Sequence, residues 1–111
     1  PVFKRKGDNL EVELPITVVE ALRGATVEVP TLDGTKRIKV KPGTAHGTLQ
    51  RLRGEGPPRL KGEGRGDIHY RLQIEVPEEL TDQQRAAVDD LAAVLDGDPR
   101  ADLLRRAGSA G

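Results

Sequence analysis

The side chains able to do covalent or metal chemistry are few: two histidines, His46 and His69, a single serine, Ser109, and no cysteine. Acyl transfer needs a nucleophile held by a base. Ser109 falls in an Ala-Gly-Ser-Ala-Gly tail expected to fray, so no such pair is assigned. His46 stands in an expected turn and His69 on the outward face of an expected strand, which makes both solvated residues rather than bases or ligands. A metal site would want several His, Cys or carboxylate groups at ligand spacing, and the sequence has no such spacing. The neighbouring acids Glu78-Glu79 and Asp89-Asp90 lie along a helix start and a helix surface rather than facing each other. With Asp82, the first pair also suits the positive end of a helix dipole. No catalytic residue, metal or cofactor is assigned, and the chain is read as not an enzyme.

Two binding chemistries need weighing. Gly62-Glu63-Gly64-Arg65-Gly66 has the glycine content of a phosphate cradle, but such a cradle opens a helix, and here Asp67 leads into a strand pattern. The plainer reading is a mobile loop whose glycines permit tight turns. The second is a basic middle. Residues 36–71 carry ten Lys and Arg against three acids, and residues 78–102 carry eight acids against two Arg, so a net charge of zero hides a +7 stretch and a −6 stretch. Lys36, Lys39, Lys41, Arg51, Arg53, Arg59, Lys61 and Arg65 could contact nucleic-acid phosphates. Single-strand binders interleave rings with such charges, yet the only aromatics are Phe3 and Tyr70, and Tyr70 is expected to face inward. An ordinary charged sheet surface is the preferred reading.

The elements that must carry these residues follow from spacing. Leu10, Val12, Leu14 and Ile16 alternate with Glu11 and Glu13, which predicts a half-buried strand. Thr17 and Glu20 form a capping box that starts a short helix over Val18 to Arg23, and Gly24 should end it in the left-handed conformation. Thr26 to Leu32 predicts a strand, Asp33-Gly34 a tight hairpin turn, and Lys36 to Lys41 the returning strand with Ile38 and Val40 inward. Pro42-Gly43 stops it. A further short strand is expected within Thr48 to Arg53, then a long glycine-rich loop. Ile68, Tyr70, Leu72, Ile74 and Val76 give five apolar positions in alternation before Pro77.

Thr81 and Gln84 make a second capping box, opening a helix with Val88, Leu91, Ala92 and Leu95 on one side; Val88, Leu91 and Leu95 are expected to pack on the core. Gly97 should end it. Asp98-Pro99 starts a last short helix carrying Leu103 and Leu104.

The fold class expected is mainly β: a small two-sheet, sandwich-like domain over an aliphatic core, with one short helix near the N-terminus and helical segments at the C-terminus. A chain of 111 residues has room for a single core. One domain over 1–111 is therefore expected, a β part over 1–80 with helix 18–23 and helical segments over 81–107. The absence of cysteine fits a reducing compartment, no apolar run approaches the ~20 residues needed to span a bilayer, and a cytoplasmic location is expected. Opening at Pro1 inside structured-looking sequence suggests a piece of a longer polypeptide.

Six short blocks in this order carry a resemblance: Asp8-Asn9-Leu10 leading to Leu14-Pro15-Ile16; Ala21-Leu22-Arg23-Gly24; Val29-Pro30-Thr31-Leu32-Asp33-Gly34; Pro42-Gly43-Thr44; Leu52-Arg53-Gly54-Glu55-Gly56; and Gly64-Arg65-Gly66-Asp67. Together they resemble the second C-terminal β-domain of the DnaJ family of J-domain co-chaperones. The family commonly has Lys where Glu55 stands and an aliphatic or aromatic residue where Pro57 stands. Nothing in the chain resembles the J-domain with its His-Pro-Asp motif, the Gly/Phe linker or the Cys-rich zinc module, so this piece alone should not stimulate a DnaK-type ATPase. The resemblance implies a chaperone module of the heat-shock and protein-folding machinery, with unfolded or partly folded proteins as clients and a DnaK-type chaperone as partner through the missing parts. Client-binding residues stay unassigned. It also implies pairing of protomers at the extreme C-terminus, which places Leu103 and Leu104 in a dimer contact. Two leucines at ~1.5–3 kcal/mol each barely offset an association cost of ~4–15 kcal/mol, so the isolated chain is expected to be a monomer or weak dimer. The alternatives are a structural spacer and dimerisation module without client affinity, or a basic nucleic-acid binder.

Overall fold

A computed structural model describes the backbone of residues 1–110 and the side chains of residues 1–108. The chain divides into two compact units, Pro1–Val76 and the segment from Pro77 onward. Six strands and a short helix build the first unit: β1 (Lys4–Lys6), β2 (Asn9–Thr17), α1 (Val18–Arg23), β3 (Ala25–Thr31), β4 (Gly34–Val40), β5 (Leu49–Leu52) and β6 (Ile68–Glu75). The architecture is mainly β, in two sheets, with most of the helix C-terminal. The larger sheet has the order β1-β2-β6-β5, and β3 and β4 form a separate two-stranded sheet.

The centre of the large sheet is a parallel pair. β2 and β6 run side by side with Leu10 opposite Ile68, Val12 opposite Tyr70, Leu14 opposite Leu72 and Ile16 opposite Ile74. Because side chains alternate across a strand, this register places both apolar rows on one face. They meet Val29, Ile38 and Val40 from the small sheet and Ala21 from α1 in one aliphatic core. Ile68, Tyr70, Leu72 and Val29 are wholly buried.

α1 begins as its capping box requires: the Thr17 hydroxyl accepts from the Glu20 N–H at 3.0 Å, and the Glu20 carboxylate accepts from the Thr17 N–H at 2.8 Å. It ends at Gly24, whose φ of 79° is positive but whose ψ of 162° is extended, not left-handed helical, because the chain turns straight into β3. The next turn also differs from expectation. Its two loop residues are Leu32 and Asp33; only Gly34, with φ 141°, takes a positive angle, and it already pairs with Thr31. β6 stops at Glu75, leaving Val76 73% exposed ahead of Pro77.

In the second unit α2 covers Asp82–Val94 and α3 Ala101–Ala110. The capping box at Thr81 and Gln84 forms as read. α2 ends at Val94, three residues before Gly97. Contrary to the expected core packing, no α2 residue is buried, and Val88, Leu91 and Leu95 are 48%, 41% and 60% exposed. The period of the stripe fixes which side chains share a side, not what they meet. Asp98 caps the approach to α3 by accepting from the Arg100 N–H at 3.1 Å. α3 continues into the tail expected to fray, as far as Ala110. Gly111 lies outside the described residues.

Candidate functional site

Of the two histidines, His46 has a structural role. His46 sits in the turn before β5, and its Nδ1 accepts the Ile74 N–H at 2.9 Å, so the ring ties that turn to β6. His69 is half-buried opposite Glu11 in the β2–β6 register. Among the described residues no three His, Asp or Glu side chains gather as metal ligands would.

The loop between β5 and β6 is not the freely moving segment expected. Gly56 N–H donates to the Gly66 carbonyl at 2.9 Å and Gly66 N–H to the Pro57 carbonyl at 2.9 Å; Arg65 Nε reaches the Gly56 carbonyl at 2.7 Å. Three side chains then fasten it to its neighbours. Asp8 Oδ1 accepts from Leu60 N–H, Asn9 Oδ1 from Asp67 N–H and Asp67 Oδ1 from Gly54 N–H, each at 2.9 Å. A Cβ on Gly66 would lie 1.6 Å from the Asp8 carbonyl oxygen, and one on Gly56 2.6 Å from the Asp67 carbonyl oxygen. These glycines are required by contact, not by turn geometry. The glycine-rich run over residues 62–66 leads into strand β6 rather than a helix, so it lacks the helix N-terminus that a phosphate cradle uses. Asp8, Asn9 and Asp67 escaped the sequence reading as functional positions, although all three lie in the blocks that carried the resemblance.

Four of the ten basic side chains in residues 36–71 have acidic partners within the fold. Lys36 pairs with Glu55 at 3.1 Å, Arg51 with Asp67 at 3.7 Å and Arg65 with Asp33 at 3.8 Å. Glu55, standing where the family commonly has Lys, thus has a partner on β4. On the outer face of the large sheet Arg71 and Lys6 approach Glu11 at 3.2 and 3.3 Å. The Arg71 hydrogen bond holds the Glu11 carboxyl below the ordinary glutamate value, against some desolvation, with Lys6 assisting. The Gly54 N–H does the same for Asp67, with Arg51 adding to it. Burial, with a smaller push from Glu55, raises the Tyr70 hydroxyl to about 12.

Surfaces for a polypeptide partner are of two kinds. Val19 and Leu22 project from the outer side of α1, 53% and 48% exposed, and Leu49 on β5 is 44% exposed. The outer strands themselves are guarded: β1 is Lys4-Arg5-Lys6, β5 has four residues including Arg51, and the Lys39 carbonyl of β4 accepts Gln50 Nε2 at 2.7 Å. In the second unit Leu103 and Leu104 are adjacent on α3, 56% and 63% exposed. At about 100° per residue they share a side with Ala107, while Asp102 on the opposite side pairs with Arg105 and Arg106. The structure therefore sets both leucines on one uncovered stripe.

Comparison with known proteins bears on the two-sheet unit. The family model described as the DnaJ C terminal domain matches residues 1–77. The chain is 51% identical over 85 residues to the chaperone protein DnaJ of Caldicellulosiruptor saccharolyticus, covering 77% of this chain and 22% of that protein. It is 45% identical over 98 residues to DnaJ of Ruminiclostridium cellulolyticum, covering 88% and 26%, and 54% identical over 77 residues to chaperone protein DnaJ 2 of Aquifex aeolicus, covering 68% and 20%. The chain thus spans about a quarter of the length of the curated relatives it matches. With all six strands and the fastened loop inside the matched residues, the chain belongs to the DnaJ C-terminal domain family.

Proposed function

We propose that the chain is the C-terminal module of a DnaJ-type co-chaperone. It holds unfolded or partly folded clients together with a neighbouring domain, and it pairs protomers through Leu103 and Leu104 in the helical segments over 81–107. Clients pass to a DnaK-type chaperone through parts of the parent outside this chain. The module acts in the cytoplasm, binds no cofactor and catalyses no reaction. The observation that carries this reading is the family match over residues 1–77, which covers the whole two-sheet unit.

Client contact on this unit is apolar, through Val19 and Leu22 on α1. Titration of the chain with an unfolded client peptide, followed by amide chemical shifts, should move the resonances of α1 and its flanks, and V19S/L22S should weaken that response several-fold. Unchanged shifts at millimolar peptide would leave the second reading, a spacer and dimerisation module without client affinity. That alternative draws support from the guarded strand edges, which leave little open ladder for an added strand. A nucleic-acid role is disfavoured by the lack of rings for stacking, since the only aromatics are Phe3 and Tyr70 and Tyr70 is wholly buried. Any DNA or RNA binding that falls steeply with salt would reopen it.

A further inference from the structure

Charge is divided between the two units. Residues 1–76 carry fourteen Lys and Arg against ten acids, and residues 77–111 carry eight acids against four Arg, so the first unit has a net +4 and the second a net −4. Nine of these fourteen cations have no acidic partner within 4 Å, and three of the nine gather in one place. Where α1 gives way to β3, Arg23, Gly24, Thr26, Lys39, Lys41 and Pro42 line a shallow cleft. Gly24 lets the end of α1 approach the end of β4 closely, since a Cβ there would stand 2.8 Å from the Val40 carbonyl oxygen and 2.9 Å from Pro42 Cδ. Lys6, Lys36, Arg51, Arg65 and Arg71 all have acidic partners within 4 Å. Among the described residues Arg23, Lys39 and Lys41 have none. The one acid on the outer face of this hairpin, Glu28, stands opposite Arg37 in the register.

Of the eight acids in the second unit only Asp102 has an ion-pair partner among the described residues, and three of the others share one side of a helix. On α2, at about 100° per residue, Asp82, Asp89 and Asp90 fall on the side away from Val88, Leu91 and Leu95. None of these three carboxylates has an ion-pair partner among the described residues, so the molecule presents three unpaired cations in a cleft and three unpaired carboxylates along a helix.

We propose that the cleft of Arg23, Lys39 and Lys41 receives the acidic side of α2 from a second copy of the chain. This rests on the pairing reading above and names the surface against which pairing is oriented. Because the acidic and apolar sides of α2 are opposite, seating the carboxylates in the cleft turns Val88, Leu91 and Leu95 away from it and leaves them free for a separate apolar contact. Exposed ion pairs are individually weak and screened by salt. Their effect lies in orientation and rate of encounter, and their signature is salt dependence.

Sedimentation equilibrium of the chain tests this, with circular dichroism to show that each variant is folded. Self-association should weaken about tenfold between ~0.05 and ~0.5 M sodium chloride. K39E/K41E and D89K/D90K should each weaken it to a similar degree at low salt, and an equimolar mixture of the two should associate as the native chain does, since every mismatched contact is then restored. Native-like association of both variants, insensitive to salt, overturns the proposal while leaving apolar pairing intact. Failure of the native chain to associate at any concentration overturns both. Recovery only when all four substitutions share one monomeric chain would place the contact within a copy, and would also overturn it.

Discussion

Tyr70 shows how much one side chain can do in a core with almost no rings. It is wholly buried on β6, and its hydroxyl donates to the Pro30 carbonyl on β3 at 2.6 Å, joining the two sheets by a polar bond inside an aliphatic core. Tyr70→Phe keeps the ring and strands that carbonyl, so urea unfolding should show a loss of about 1–2 kcal/mol with an unchanged denaturant slope. The hydroxyl's raised pKa fixes the pH dependence: the folded value, about 12, exceeds the ordinary 10, so the favourable difference is complete below pH 10 and is lost as pH climbs toward 12. Stability should therefore fall more steeply over that window in the native protein than in Tyr70→Phe. A second residue-scale test is Gly66→Ala. Its Cβ would meet the backbone of Asp8, which cannot rotate away, and thermal melting should show a loss of about 3 kcal/mol or more. The inward position of Tyr70 was legible from alternation. Its partner was not, because spacing along β6 says nothing about a carbonyl 40 residues earlier. The His46 contact escaped for the same reason.

At the scale of elements, local signals were legible and partnerships were not. α1 was readable to the residue because its boundaries are set by contacts three residues apart, Thr17 with Glu20, and Thr17→Ala should cost about 1 kcal/mol by the same measurement. β2 and β6 were readable as strands, yet nothing in either sequence says that they pair with each other or that they run parallel; that is decided by the core they jointly cover. β1 carried no signal at all, since Lys4-Arg5-Lys6 has no apolar alternation and is held by β2 and by the Lys6–Glu11 pair. The same Glu11 makes an acid-stability test. Its pKa is lowered by Arg71 and Lys6, so its contribution is complete above the unfolded value near 4.5 and disappears as pH falls through the lower folded value. Asp67 behaves alike through Gly54 and Arg51. The double variant E11Q/D67N should lose stability at neutral pH but show a shallower decline below pH 4. A decline as steep as the native protein's would mean that other carboxylates govern acid unfolding.

At the scale of the whole molecule the question is how far the uncovered leucines can drive pairing. Leu103 and Leu104 retain more than half their exposure, so covering all four in a symmetric pair yields roughly 4–7 kcal/mol, against an association cost of ~4–15 kcal/mol. Those terms nearly cancel. The exposed Val88, Leu91 and Leu95 add apolar area to the same account, and the opposed charges of the two units can orient the encounter without greatly deepening it. The isolated chain should therefore show a monomer–dimer equilibrium in the micromolar range or weaker, read as concentration-dependent light scattering. L103D/L104D should move it to monomer. The two-sheet unit holds its own core and none of these leucines belongs to it, so its thermal midpoint should stay within a degree or two. A dimer that persists at nanomolar concentration, or one indifferent to L103D/L104D, would mean that pairing is built on some other surface and that the α3 stripe is not its centre.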